Sequence, residues 1–222
     1  MIQLEKVQKE FNSVILDGIF LNIEEGDFVA ITGKSGSGKS SLLNIIGLLD
    51  NDYQGEYLFR GQSMRGLKDK QRETIRNQEF GYIFQDYHLI PEYSVIENVE
   101  LPLAYRNVPK KVRRQKANHL LEYLELSDKA QQFPGQLSGG EQQRVSIART
   151  LMLDPKILLA DEPTGSVDMA TSKIIMALFK QLHQQGTTIC LVTHDLDLAY
   201  QVDKQIEISN GQLKANGKLS YY

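Results

Sequence analysis

The sequence predicts an α/β fold with a parallel sheet at its core, a β-rich start and a helical middle. Three observations carry this. The last third alternates short apolar runs with an amphipathic helical pattern, as buried parallel strands and their crossover helices do. Near the start, a glycine-rich loop joins an apolar run to a helical one. Between these regions, from about Val95 to Leu126, apolar residues recur at helical spacing instead. The chain has 222 residues, 41% hydrophobic and 24% charged, which suits one large folded domain rather than a disordered chain.

Each element has its own signal. Ile2–Val7 places Ile2, Leu4 and Val7 nearly in alternation, as a half-buried strand requires. Phe20–Ile23 and Phe28–Thr32 follow as strands around the turn Glu25-Gly26-Asp27. Lys39–Ile46 reads as a helix ending near Gly47, and Glu56–Phe59 and Phe80–Phe84 as further short strands. In the helical middle, Leu120, Leu121 and Leu124 mark one face. Lys110, Lys111, Arg113, Arg114 and Lys116 mark another, which reads as a solvated charged face. A helical run from Glu141 to Met152 comes next. Ile157–Ala160 and Thr187–Val192 read as buried strands on either side of an amphipathic helix, Thr171–Gln185. Lys204–Ser209 and Gln212–Ala215 flank Asn210-Gly211, the signal of a terminal hairpin.

Composition narrows the function. Lys and Arg number 25 and Asp and Glu 28, a net charge of -3, which argues against a dedicated nucleic-acid binder. A single cysteine, Cys190, excludes an intrachain disulfide and suits a reducing compartment. It lies in an apolar run, where a buried small hydrophobe is the expected role. No apolar run approaches the ~18 residues that span a bilayer. Met1–Phe11 carries charges where a signal peptide has an apolar core. The expectation is a cytoplasmic protein; membrane work would need a partner to supply the membrane part. The sequence stops at Tyr222 soon after the hairpin, so no large appended regulatory domain is expected.

Three motifs carry chemistry. Gly33-Lys34-Ser35-Gly36-Ser37-Gly38-Lys39-Ser40 has the spacing of a phosphate-binding loop, with a strand before it and a helix after it. Glycines let successive N–H groups point inward, the helix start adds its positive dipole end, Lys39 supplies a charge for the outer phosphates, and the Ser40 hydroxyl can ligate Mg2+. Ile157–Ala160 followed by Asp161 and Glu162 is an apolar strand ending in two carboxylates. Beside a phosphate loop, Asp161 becomes a candidate for holding Mg2+ and Glu162 for activating the attacking water. Leu137-Ser138-Gly139-Gly140-Glu141-Gln142 opens a helix with a serine and two glycines. By itself it could be a simple N-cap. Next to a phosphate loop it reads as a second phosphate-seeking helix start, completing the site of another subunit.

In this order the motifs resemble the nucleotide-binding subunits of ABC transporters over nearly the whole chain. Gly33–Ser40 matches the Walker A motif of these P-loop NTPases, Gln85 the Q-loop, Leu137–Gln142 the ABC signature and Ile157–Glu162 Walker B. Asp168 in Ser166-Val167-Asp168 matches the D-loop, and His194 the switch histidine. Phe11 sits where the family places an aromatic that stacks on adenine. The resemblance implies one ABC ATPase domain over 1–222, with a RecA-like core of mixed sheet at 1–86 and 154–222, an N-terminal antiparallel β subdomain within it, and a helical subdomain at about 87–153. It implies ATP and Mg2+ as ligands. Glu162, His194, Gln85 and Lys39 would be catalytic. Phe11, Gly33, Lys34, Ser35, Gly36, Ser37, Gly38, Lys39, Ser40, Ser41, Ser138, Gly139, Gly140 and Asp168 would bind nucleotide, and Ser40, Gln85 and Asp161 would surround the metal.

Two copies would sandwich two ATP molecules head to tail. A transmembrane permease would dock near Tyr87, Leu89, Ile90 and Pro91, holding the chain on the inner face of the cell membrane. Ile46–Asp50, Phe84–Pro91 and Glu97–Leu103 resemble the LolD/MacB-type branch, which exports or extracts peptides, lipoproteins or antibiotics. Valine at 167, where leucine is usual, and Lys34 and Ser41 depart from the family pattern without removing a functional group. The alternative is an FtsE-like ATPase that works on a membrane partner in cell division without moving substrate. DNA-repair and translation ATPases of this superfamily fit less well, for want of a coiled-coil insertion or a second ATPase unit.

Overall fold

The computed structural model describes residues 1–165 and 167–215. Ser166, part of the D-loop motif, and the chain end from 216 lie outside the described residues.

Two sheets carry the fold. β1 (Ile2–Phe11), β2 (Ser13–Ile23), β4 (Gln54–Phe59) and β5 (Gln62–Ser63) form an antiparallel sheet in the order β2-β1-β4-β5. β3 (Phe28–Thr32), β6 (Phe80–Ile83), β7 (Ile157–Asp161), β8 (Thr188–Val192), β9 (Lys204–Ser209) and β10 (Gln212–Ala215) form the second, in the order β10-β9-β3-β8-β7-β6. Its pairs are parallel except the β9–β10 hairpin, so the core sheet is mixed. The helices are α1 (Lys39–Ile46), α2 (Asp69–Glu79), α3 (Val95–Tyr105), α4 (Lys110–Tyr123), α5 (Gly139–Leu151), α6 (Met169–Gln184) and α7 (Leu196–Ala199).

Strand side chains alternate between faces, and the central strands bury both. Val29, Ile31, Leu159, Cys190 and Val192 join Leu42, Ile45 and Ile46 of α1 and the apolar side of the antiparallel sheet. Phe28, Leu158, Ala160, Ile189 and Leu191 join Val95 and Val99 of α3, Val145 and Ala148 of α5, and Ile175 and Phe179 of α6. Burial pushes the Cys190 thiol up to about 12, so it packs as a small hydrophobe and carries no thiolate.

Four stretches differ from expectation. β1 runs on to Phe11, and β2 begins at Ser13 rather than Phe20; together they make a long ribbon with register shifts. α2 had no apolar stripe to announce it: none of its residues is buried. The helical middle is two helices, because the chain turns at Arg106–Pro109, where Asn107 takes a left-handed φ of 57°. The basic face of α4 is not all solvated. Arg114 pairs with Glu100, Arg113 Nε lies 3.6 Å from the same carboxylate, and Lys116 pairs with Asp154. Glu100 is only 4% exposed, so its carboxylate is buried against these arginines. Arg114→Ala should cost about 2 kcal/mol of stability, because it strips a buried carboxylate of its main partner. Urea unfolding checks this; an unchanged midpoint would mean that Arg113 alone suffices.

Candidate functional site

Parallel pairing brings the candidate residues to one edge. β3 ends at Thr32 and leads into Gly33; β6 ends two residues before Gln85. β7 ends at Asp161, next to Glu162, and β8 ends two residues before His194. The four strands are neighbours in the order β3-β8-β7-β6, so all these ends open on the carboxyl edge of the sheet, where open α/β folds bind ligands. A groove of 360 Å³ there is lined by Ile15, Ser35, Gly36, Gly38, Lys39, Ser40, Ser41, Gln85, Asp161 and Glu162.

The loop's glycines are required by position. Gly33 has φ 150°, and a Cβ there would stand 2.3 Å from the Ile208 carbonyl oxygen. Gly38 has φ 102°, and a Cβ there would stand 2.8 Å from the Ile15 carbonyl oxygen. Both positions let the loop lie directly on β9 and β2. Lys39, 8% exposed, donates from Nζ to the carbonyls of Gly33 (2.9 Å) and Lys34 (3.0 Å). No acidic residue stands in the first turn of α1 and no side chain caps it, so the helix start keeps its positive end for an anion.

Two buried oxygens in this region lack partners: Ser37 Oγ and Asp161 Oδ1. A buried polar atom without a partner in a groove calls for a ligand. Burial pushes the Asp161 carboxyl up; the Ser40 hydroxyl opposes this, Glu162 adds to it, and Lys39 opposes it more weakly. A raised carboxyl disfavours the ionised folded state at neutral pH, and the penalty fades as pH falls through the folded value. Asp161→Asn should therefore raise the melting temperature of the ligand-free protein at pH 7, with the gain shrinking under acid conditions; calorimetry at the two pH values checks it. Among the described residues, no group of three or more His, Cys, Asp or Glu could hold a metal. A cation here would take oxygens from Ser40 and Asp161 and complete its shell from phosphate and water, the habit of Mg2+.

Glu162 occupies a left-handed φ of 48°, unusual for a residue with a side chain. Its N–H donates to the Val192 carbonyl (3.0 Å) and its carbonyl accepts from Gly165 N–H (3.0 Å). Oε2 lies 2.9 Å from His194 Nδ1, so the histidine joins the cluster through Glu162. The Glu162 side chain is 14% exposed and that of His194 69%.

Other expected site residues lie apart from the groove. Phe11, at the end of β1, is 72% exposed and does not line it. Ser138, Gly139 and Gly140 open α5, where Ser138 Oγ accepts from Glu141 N–H (3.3 Å) and Ser138 N–H donates to Glu141 Oε2 (2.7 Å). The N-cap is thus realised in the single chain. Asp168 caps α6, accepting from Thr171 N–H (3.0 Å) and Thr171 Oγ1 (2.8 Å), and these bonds hold its carboxyl below the usual range. The two caps touch. Arg144 Nη1 donates to Thr171 Oγ1 (3.3 Å), and a Cβ on Gly140 would lie 3.4 Å from the same oxygen.

Past Gln85, the segment is pinned rather than free. Asn98, fully buried, accepts from Ile90 N–H (2.8 Å) and donates to the carbonyls of Ile90 (3.0 Å) and Tyr93 (2.9 Å). Leu89 packs against the core, whereas Tyr87 and Ile90 are half-buried and Pro91 is exposed. Sequence reasoning missed Ile15 in the groove and Asn98 and Arg149 behind it. The last two act on backbone carbonyls; Asn98 falls within Glu97–Leu103, a stretch that carries the resemblance without giving it this role, and Arg149 falls in no motif.

A phosphate loop, an apolar strand ending in two carboxylates and a histidine held by the second of them define a P-loop ATPase cassette. The family model described as ABC transporter matches residues 16–165, and the chain belongs to that family. Among curated relatives, it is 45% identical over 218 residues to the macrolide export ATP-binding/permease protein MacB of Brucella melitensis, covering 96% of this chain and 34% of that protein. It is 44% identical over 221 residues to MacB of Vibrio parahaemolyticus, again with 34% of the relative covered. The chain spans about a third of the length of these relatives. Among solved structures, the dimeric bacterial ABC transporter cassette MJ0796 superposes with a TM-score of 0.93 at 40% identity, over all of both chains. A post-hydrolysis state of that cassette, bound to ADP and Pi, superposes with a TM-score of 0.91 at 40% identity.

Proposed function

We propose that this chain is the ATP-hydrolysing unit of a MacB-like exporter, working in pairs on a membrane permease. The observation that carries the reading is the shared edge: the phosphate loop, Gln85, Asp161 and Glu162 line one groove, and Asp161 holds an unpartnered oxygen inside it. The loop N–H groups and Lys39 bind and orient the phosphates. Mg2+, held by Ser40 and Asp161 with Gln85 nearby, would neutralise charge on the transferred group. Glu162 draws a proton from the attacking water, and His194 keeps the carboxylate aimed. The phosphoryl group then passes to water, giving ADP and phosphate.

The signature residues Ser138, Gly139 and Gly140 do not reach this groove in one chain, so their part is played on the nucleotide of a second copy. Asp168, fastened to the same region through Thr171, moves with them. Phe11, exposed on the ribbon, offers a flat face to adenine. Residues 87–153 make the helical lobe, and Tyr87, Leu89, Ile90 and Pro91 are its docking edge for the permease. Among the described residues no helix is long and apolar enough to cross a membrane. The spanning part therefore belongs to another segment or another polypeptide, which would hold the ATPase at the inner membrane face.

The test is to tag the chain in its host, solubilise membranes gently and identify what co-purifies. A multi-span permease with a large extracytoplasmic domain is the expected partner. Ribosomes, DNA or no membrane protein would overturn the transport part of the reading.

A further inference from the structure

The stretch that carries Gln85 is clamped at both ends by two adjacent residues of α5. Before it, Thr150 Oγ1 donates to the Tyr82 carbonyl in β6 (2.8 Å). After it, Arg149 Nη2 donates to the Tyr87 carbonyl (2.9 Å) and Nη1 to the His88 carbonyl (2.7 Å). Rings close the span between the clamps. Tyr82 stacks on Phe84 with centroids 5.7 Å apart, and Phe84 meets His88 edge-on at 5.4 Å. His88 takes a left-handed φ of 47°, a conformation that the two guanidinium bonds hold in place.

The guanidinium contacts have no carboxylate in them. No salt bridge is formed by Arg149 among the described residues, and burial lowers its pKa. A half-buried cation spent on two backbone carbonyls has geometry, not charge pairing, as its return; the planar fork of arginine suits two carbonyls, whereas lysine is a point donor. The other end of the same helix is the signature, at Ser138, Gly139 and Gly140. An α-helix of 13 residues is stiff over about 20 Å. One rod thus joins the segment expected to face a partner's nucleotide to the loop whose Gln85 is expected beside the metal.

We infer that Arg149, with Thr150, is the positioning residue for Gln85, so that a shift of the signature helix is delivered to the Gln85 amide. This rests on the ATPase reading given above, and deepens it by assigning a residue outside the motifs to the site. Arg149 does not line the groove. It acts by fixing where the Gln85 loop stands.

The experiment is a double-mutant cycle on the full chain, with ATP hydrolysis followed against both ATP and Mg2+. Arg149→Ala should lower kcat about 10-fold, leave ATP affinity within about twofold, and raise the Mg2+ concentration for half-maximal rate. Combined with Gln85→Ala it should add almost nothing, because the two changes remove one function. Arg149→Lys, which keeps the charge and most of the packing, should fall between wild type and Arg149→Ala; it becomes the decisive variant if Arg149→Ala fails to fold. A purely structural arginine would give additive losses with the Mg2+ dependence unmoved, and that result overturns the inference. If Gln85→Ala alone leaves kcat and Mg2+ dependence unchanged, the assignment of Gln85 itself has failed, and the inference falls with it. An unchanged Gln85→Ala is thereby distinguishable from an additive cycle.

Discussion

Glu162→Gln is expected to slow phosphate release by about 1000-fold while leaving ATP binding near wild type. The substitution keeps the shape of the side chain, its left-handed backbone and a polar atom facing His194 Nδ1, now 2.9 Å from Oε2. It removes the carboxylate proposed to accept a proton from water. Hydrolysis and binding thus separate. With ATP and Mg2+ present, the variant should also persist as a dimer, since the nucleotide proposed to bridge two copies would no longer be consumed. Phosphate release and light scattering measure the two effects on one sample. A variant that hydrolyses at the wild-type rate would remove Glu162 from the reaction. One that stays monomeric at saturating ATP would count against the two-copy sandwich.

Lys39→Ala should have the opposite signature. Its Nζ is the cation closest to the loop carbonyls of Gly33 and Lys34, at 2.9 and 3.0 Å, and no acidic residue in the first turn of α1 shares the region. Loss of the ammonium should weaken ATP binding about 100-fold, or about 2.7 kcal/mol. Folding should change little, because water can reach the two freed carbonyls from the open groove. Titration with a fluorescent ATP analogue, beside a thermal melt, checks both. An unchanged affinity would mean that the backbone N–H groups alone hold the phosphates.

The sequence was most legible where a strand or helix buries one face or must take a special backbone. Lys39–Ile46 and the hairpin Lys204–Ser209 and Gln212–Ala215 were read to the residue, because glycine, asparagine and apolar periodicity all agree there. α2 was invisible because its residues are solvated and Ile75 is its one aliphatic side chain. β2 was read only from Phe20, since Asp17 and Gly18 interrupt the alternation; its hidden half contains Ile15, which lines the groove. The basic residues of α4 were misjudged in part, because a buried Glu100 on another helix lies outside any local pattern. In the site, motif residues that need a given chemistry were legible. Residues that serve them by gripping carbonyls, Asn98 and Arg149, were not, since any backbone offers carbonyls and no spacing marks which one is taken.

The caps at Ser138 and Asp168 bear on how two copies part. Each chain already satisfies the exposed ends of α5 and α6 from within, through Glu141 and Thr171. A lone chain therefore ties up the Glu141 and Thr171 N–H groups and the Asp168 carboxylate from within, while the first N–H groups of α5, at Gly139 and Gly140, stay available to an anion. On the two-copy reading, a ligand would have to bridge this face. Two copies that parted would each keep both caps whole, because Glu141 and Thr171 belong to the same chain as the helices they serve.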